Sequence, residues 1–212
     1  MMKRRRDILQ FLAAAAVGSG GALLFRYFRP VGERVDSSTP TIEGIHADPD
    51  APRVGPDHAP LTITVYSDYD CAICRQSYGA MRDVLADRRD VRVVYKEWPI
   101  LGPNSVRAAR VALAADKQGI YGAVHDALMQ RNERISDALL RQIVERAGGD
   151  WARLEADLVV DADRIDKALA RVATEAFALG LRGTPAYLVG PVLVKGGLDE
   201  AGFRRTLREA AK

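Results

Sequence analysis

Only two cysteines occur among the 212 residues, and no second CxxC pair accompanies them. A structural zinc site takes four ligands, usually from two such pairs, so zinc has half of what it requires here. Histidine is scarce too: His46, His58 and His125 are scattered and show no ligand spacing. No metal site is therefore expected. Charge of one sign is also lacking. The formal net charge is +3, but Lys3, Arg4, Arg5, Arg6, Arg26 and Arg29 against Asp7 place +5 in residues 1–30 and leave −2 for the rest. Such a balance implies no basic face for nucleic acid. There is no internal repeat and no low-complexity tract.

What is there begins at the N-terminus. Lys3-Arg4-Arg5-Arg6 precedes an apolar run from Ile8 to Phe25, the charged region and hydrophobic region of an export signal. Arg5-Arg6-Asp7-Ile8-Leu9 also looks like a twin-arginine signal. A clear small-residue cleavage site is missing. Eighteen residues span roughly 27 Å as a helix, enough for a bilayer, so residues 1–30 fit either a cleaved signal peptide or a retained anchor. The basic cluster puts residue 1 in the cytoplasm and the rest outside. Residues 31–58 read as an extended linker, because Pro40, Pro49, Pro52 and Pro56 are spread among Gly, Asp, Ser and Thr without sustained periodicity.

From residue 59 onward the pattern is that of a folded domain, and 48% hydrophobic content can fill its core. Leu61-Thr62-Ile63-Thr64-Val65-Tyr66 reads as a strand. A helix follows from Ile73, with Tyr78, Met81, Val84 and Leu85 on one face, stopping near Arg88-Arg89. Val91 to Trp98 is a second strand, closed by Pro99, and a crossover of this length implies parallel pairing. Helical patterns then cover 105–115 (capped around Asn104-Ser105), 123–129, 137–146, 151–158 and 163–179. A strand from Gly183 to Gly190, a return strand Val192-Leu193-Val194 and a helix from Ala201 complete the chain. Trp98, Trp151 and His125 read as packing residues.

The cysteines are Cys71 and Cys74, at the junction of the first strand and its helix. Unpaired N–H groups and the helix dipole favour a thiolate at Cys71, and Cys74 lies one turn further in. An attacking thiol followed by a resolving thiol suits thiol–disulfide exchange.

The order β-α-β, helices, hairpin and last helix, with CxxC after strand one, resembles the DsbA-like branch of the thioredoxin superfamily. The residues that carry the resemblance are Tyr66-Ser67-Asp68-Tyr69-Asp70-Cys71-Ala72-Ile73-Cys74-Arg75, Pro103-Asn104-Ser105 and Gly183-Thr184-Pro185-Ala186-Tyr187-Leu188-Val189-Gly190. It covers about residues 48–212. It implies an α/β, thioredoxin-like fold with a helical insertion at about 103–180, in a domain of residues 59–212 behind the signal or anchor helix. Carried over, Cys71 is the nucleophile and Cys74 the resolving cysteine. Pro185 matches a cis-proline facing them, with Thr184 before it, and that loop offers backbone groups to substrate. Read alone, Pro185 is an ordinary trans turn proline. Relatives commonly place proline and then an aromatic residue or histidine between the cysteines, where this chain has Ala72-Ile73. Many also carry an acid where Val65 stands, which leaves Glu97 or Lys96 as candidates to replace it.

The expected function is extracytoplasmic thiol–disulfide exchange with protein cysteines, in the periplasm and tethered or not by residues 8–25. No cofactor or metal is implied, but a redox partner must reset the pair. Residues 31–58 are short for an isomerase-type dimerisation domain, so oxidase is favoured over isomerase or reductase. The alternative is a copper or metal chaperone, since Cu(I) accepts two thiolates; no methionine cluster or histidine ligand accompanies the pair. A third reading is an interaction domain with a vestigial CxxC.

Overall fold

The computed structural model describes residues 31–36 and 40–212. The signal or anchor segment expected at residues 1–30 lies outside them. Among the described residues no helix is long and apolar enough to cross a membrane.

The strands are β1 (Glu33–Arg34), β2 (Arg53–Val54), β3 (Leu61–Ser67), β4 (Val91–Glu97), β5 (Ala186–Val189) and β6 (Val192–Lys195). They form one sheet in the order β1-β6-β5-β3-β4-β2. Its centre is the parallel pair β3 and β4, in register from Leu61↔Val91 to Ser67↔Glu97, while β5 joins β3 antiparallel. Both central strands are covered on two faces, which is why they read as nearly unbroken apolar, β-branched runs.

The helices are α1 (Pro40–Ala47), α2 (Ala72–Leu85), α3 (Pro103–Ala115), α4 (Tyr121–Gln130), α5 (Asp137–Arg146), α6 (Trp151–Val160), α7 (Ala162–Ala178) and α8 (Glu200–Ala210). One face of the sheet buries Tyr66, Ala186, Leu188 and Leu193 against Ile42 and Ile45 of α1 and Val172 and Ala176 of α7. The opposite face takes α2 and α8. There α2 turns inward Cys74, Ser77, Met81 and Val84, at spacings of three and four. Ser77 exchanges two 2.7 Å hydrogen bonds with the backbone of Leu198, and Tyr187 meets Phe203 of α8 edge to face at 5.0 Å. The domain is a thioredoxin-like fold with a helical insertion, α3 to α7, between β4 and β5.

The described part of residues 31–58 is not an extended linker. Glu33 and Arg34 pair with Leu193 and Val192, Arg53 and Val54 pair with Val94 and Val93, and α1 lies between. The physical reason is that Ile42 and Ile45, one turn apart, bury to 5% and 2% exposure. Pro40 opens the helix, where its missing N–H does no harm. Smaller differences have similar causes. Helix α2 ends at Leu85, and α3 starts at Pro103, behind Gly102 at φ 118°, with Ser105 inside the helix rather than capping it.

Candidate functional site

Four residues, Asp68 to Cys71, carry the chain from β3 into α2. The Cys71 N–H donates to the Asp68 carbonyl at 3.1 Å, closing a turn. The Asp68 carboxylate, 1% exposed, accepts the Asp70 N–H at 2.8 Å on one oxygen. Its other oxygen accepts the N–H groups of Ile100 and Leu101 at 2.8 and 2.9 Å. One buried side chain thus fixes the turn and ties it to the loop after β4.

Tyr69 is held at both ends. Its carbonyl accepts from Arg131 at 2.6 Å and Arg75 at 3.1 Å, and the second Arg131 nitrogen meets the Asp70 carboxylate at 2.6 Å. The Tyr69 hydroxyl donates to Glu97 Oε1 at 2.6 Å and lies 2.8 Å from His125 Nδ1. Tyr121 donates to the same Glu97 oxygen at 2.6 Å. Burial, with the adjoining Glu97 carboxylate, pushes both phenols far above the ordinary tyrosine value, so they remain donors.

Cys71 caps α2 with its own sulfur. Its Sγ accepts the Cys74 N–H at 3.4 Å and lies 3.4 Å from the Thr184 carbonyl, to which the thiol donates. Both cysteines are free thiols. Cys71 is 9% exposed and Cys74 2%. Burial pushes the Cys74 thiol up to about 12, and neighbouring Cys71 adds to the rise. The Thr184–Pro185 peptide bond is cis, and the Pro185 carbonyl accepts the Gly196 N–H at 3.0 Å. Ile73, between the cysteines, is 51% exposed and stands with Ile100 and Leu101 as apolar surface beside the turn.

The structure therefore brings Cys71, Cys74, Thr184 and Pro185 together. The two candidate replacements for a buried acid are engaged by other groups. Val65 faces inward at 5% exposure. Glu97 is engaged by Tyr69 and Tyr121, and Lys96 points to the other face, against Asp48 at 2.6 Å and Glu175 at 2.9 Å. His125, read as packing, is 1% exposed and is part of the Glu97 cluster, with Tyr95 at 4.2 Å between ring centres. Trp98 packs partly buried against the core, and Trp151 lies under the Arg107 guanidinium at 5.9 Å. Sequence reasoning missed the roles of Asp68, Tyr121, His125 and Arg131, and named Glu97 for a different one. Only Asp68 left a signal, as an Asp opening a turn. Among the described residues no group of three or more His, Cys, Asp or Glu side chains is placed to hold a metal ion.

A family model described as DSBA-like thioredoxin domain matches residues 62–208. Among curated proteins, the Na(+)/H(+) antiporter NhaA 3 of Salinispora tropica is 34% identical over 151 residues, which are 68% of this chain and 22% of that protein. The chain thus spans about a fifth of the length of this curated relative. Among solved structures, a thioredoxin-like oxidoreductase from Silicibacter pomeroyi superposes with a TM-score of 0.75 at 32% identity, covering 80% of this chain and 96% of that one. A periplasmic thioredoxin-like protein from Salmonella enterica serovar Typhimurium gives 0.71 at 25% identity, covering 84% and 98%.

Proposed function

The chain belongs to the DsbA-like thioredoxin family, and from that premise we propose that it exchanges disulfides with protein cysteines outside the cytoplasm, through Cys71 and Cys74. The observation that carries this reading is the unequal placing of the two sulfurs. Cys71 caps the helix with its sulfur on the Cys74 N–H, at the end of the helix where backbone donors are unpaired. Cys74 is buried and held protonated.

In the reducing direction the Cys71 thiolate attacks one sulfur of a substrate disulfide. The mixed disulfide forms, and the other substrate sulfur leaves as a thiolate. Cys74 then gives up its proton, which the departing thiolate can take, and attacks Cys71. The second substrate thiol is freed, two electrons have passed to the substrate, and the Cys71–Cys74 disulfide remains. The oxidising direction is the same sequence reversed, and a redox partner restores the starting state. Backbone groups of Thr184 and Pro185, beside the sulfur, receive the substrate segment as an added strand. Oxidase is the favoured direction, because the segment that precedes the domain is used in the protein's own sheet rather than as a separate dimerisation arm. The basic cluster before Ile8–Phe25 and the periplasmic relative support the location.

The test is equilibration of purified protein with glutathione, followed by turnover of a dithiol peptide. Wild type should form a single intramolecular disulfide and oxidise the peptide, and Cys71→Ala should do neither. One stoichiometric Cu(I) on the two thiolates with no exchange would replace this reading by the metal chaperone. A reporter fused after residue 60 should be active only as an extracytoplasmic reporter; cytoplasmic activity alone would defeat the location.

A further inference from the structure

Two cavities flank the cysteine turn and carry opposite charge. On the Thr184–Pro185 side is a pocket of about 480 Å³, lined also by Arg182, Lys195 and three glycines, with no carboxylate in its wall. Arg182 is exposed and has no ion pair among the described residues. Lys195 is 43% exposed and shares its charge with Glu33 at 2.8 Å. On the α2 side is a groove of about 680 Å³ whose charged lining is Asp83, Asp199 and Glu200, with no cation in its wall. Asp83 and Glu200 are more than half exposed, each with one arginine neighbour at 3.5–3.6 Å, and Asp199 caps α8.

The cavities are lined by consecutive residues of the chain. Gly196 lines the first and Gly197 the second. A side chain is disfavoured at both: Gly196 has φ +124°, and a Cβ on Gly197 would stand 2.6 Å from Ile73 Cγ2, so Ile73 would have to move. The partition is bare backbone. Thr184, whose carbonyl is 3.4 Å from Cys71 Sγ, belongs to the cationic pocket, and Ile73, two residues after Cys71, belongs to the anionic groove. Residues on either side of the cysteine turn thus face opposite charges.

Resting on the exchange chemistry proposed above, we infer that this surface sorts substrates by charge order. The preferred segment carries an acidic side chain on one side of its cysteine, directed to Arg182 and Lys195. It carries a basic side chain on the other, directed to Asp83, Asp199 and Glu200. Complementarity between exposed charges acts mainly on association and weakens with salt.

The experiment uses two peptides of identical composition, each a mixed disulfide through one cysteine, with Asp and Lys exchanged across it. Net charge is the same, so only order differs. The two should react with the reduced protein at rates differing by about fivefold to tenfold at low salt, a gap that narrows as salt rises. Arg182→Glu and Glu200→Lys should each shrink or invert the ratio. Labelling of Cys71 by a small neutral alkylating reagent should be unchanged in both variants. Equal rates for the two orders, within twofold, would overturn the charge-order inference and leave the exchange reading standing. If neither peptide exchanges while the small reagent labels Cys71, the exchange reading itself fails and this inference with it.

Discussion

Lys96 and Glu97 are neighbours in β4, both about 1–2% exposed, and they point to opposite faces of the sheet. Lys96 meets Asp48 at 2.6 Å and Glu175 at 2.9 Å, with Arg171 reaching Asp48 at 3.4 Å and Asp50 at 3.2 Å. Tyr66 adds a hydrogen bond to Glu175 at 3.3 Å. Glu97 meets two phenols and, at 3.7 Å, the ring nitrogen of His125. The first cluster joins the segment after α1 and helix α7 to the sheet, so it is framework. The second joins helix α4 to Tyr69, two residues before Cys71, so it belongs to the site. Burial of charge alone does not distinguish scaffold from site; what the charge holds does.

The largest expected effect is on the framework side. Lys96→Met removes the nearest cation from buried Asp48 and partly buried Glu175, and removing one partner of a buried pair costs about 3–5 kcal/mol. Denaturant unfolding should show that loss, while disulfide exchange per folded molecule stays as in wild type. Slowed exchange after correction for folded population would mean that the two clusters are not separate.

Next in size is an acid dependence that belongs to the same cluster. Burial alone would raise the Asp48 carboxyl, but the hydrogen bond and charge of Lys96, helped by the Asp50 N–H and Arg171, bring it below the ordinary 3.8. A carboxyl lowered by folding stabilises the protein fully above its unfolded value and loses that contribution as pH falls through its folded value. Asp48→Asn should therefore be less stable than wild type at neutral pH by about 1–3 kcal/mol, the range for a broken charged hydrogen bond. The difference should close below about pH 4, where ordinary carboxyls protonate. A difference that persists unchanged in acid would contradict the assignment.

The smallest effect separates the two phenols on Glu97. Tyr69→Phe and Tyr121→Phe each remove one O–H donor and should lower stability similarly, by about 1 kcal/mol. Only Tyr69 lies in the turn, so only Tyr69→Phe should also slow mixed-disulfide formation. Equal slowing by both would place the whole cluster, rather than the turn, in control of reactivity.

These contrasts also explain what the sequence could tell. Residues 61–66, the helix after Cys71 and the insertion were legible because their apolar residues repeat at strand or helix spacing over many positions. Cys71, Cys74, Thr184 and Pro185 were legible as two short motifs. The segment from Glu33 to Val54 was not, because its strands are two residues each and α1 declares its buried face through Ile42 and Ile45 alone. Its Asp48 means nothing until Lys96 lies beside it. The Glu97 cluster was hidden for the same reason: Tyr69, Glu97 and the helix that carries Tyr121 and His125 are far apart along the chain, and none has a local pattern that names its partner. Lys96 and Glu97 read as candidates to replace the acid missing at Val65, and nothing in the sequence says what either one meets.

The central claim is that Cys71 attacks and Cys74 resolves. It is tested most directly by trapping: Cys71→Ala and Cys74→Ala proteins are each mixed with a disulfide-bonded protein substrate, and the mixed disulfides are counted. Cys74→Ala should accumulate them, because nothing nearby can cleave the bond to Cys71. Cys71→Ala should trap few, its remaining thiol being buried and held protonated up to about 12. Efficient trapping by Cys71→Ala, with little by Cys74→Ala, would contradict the account.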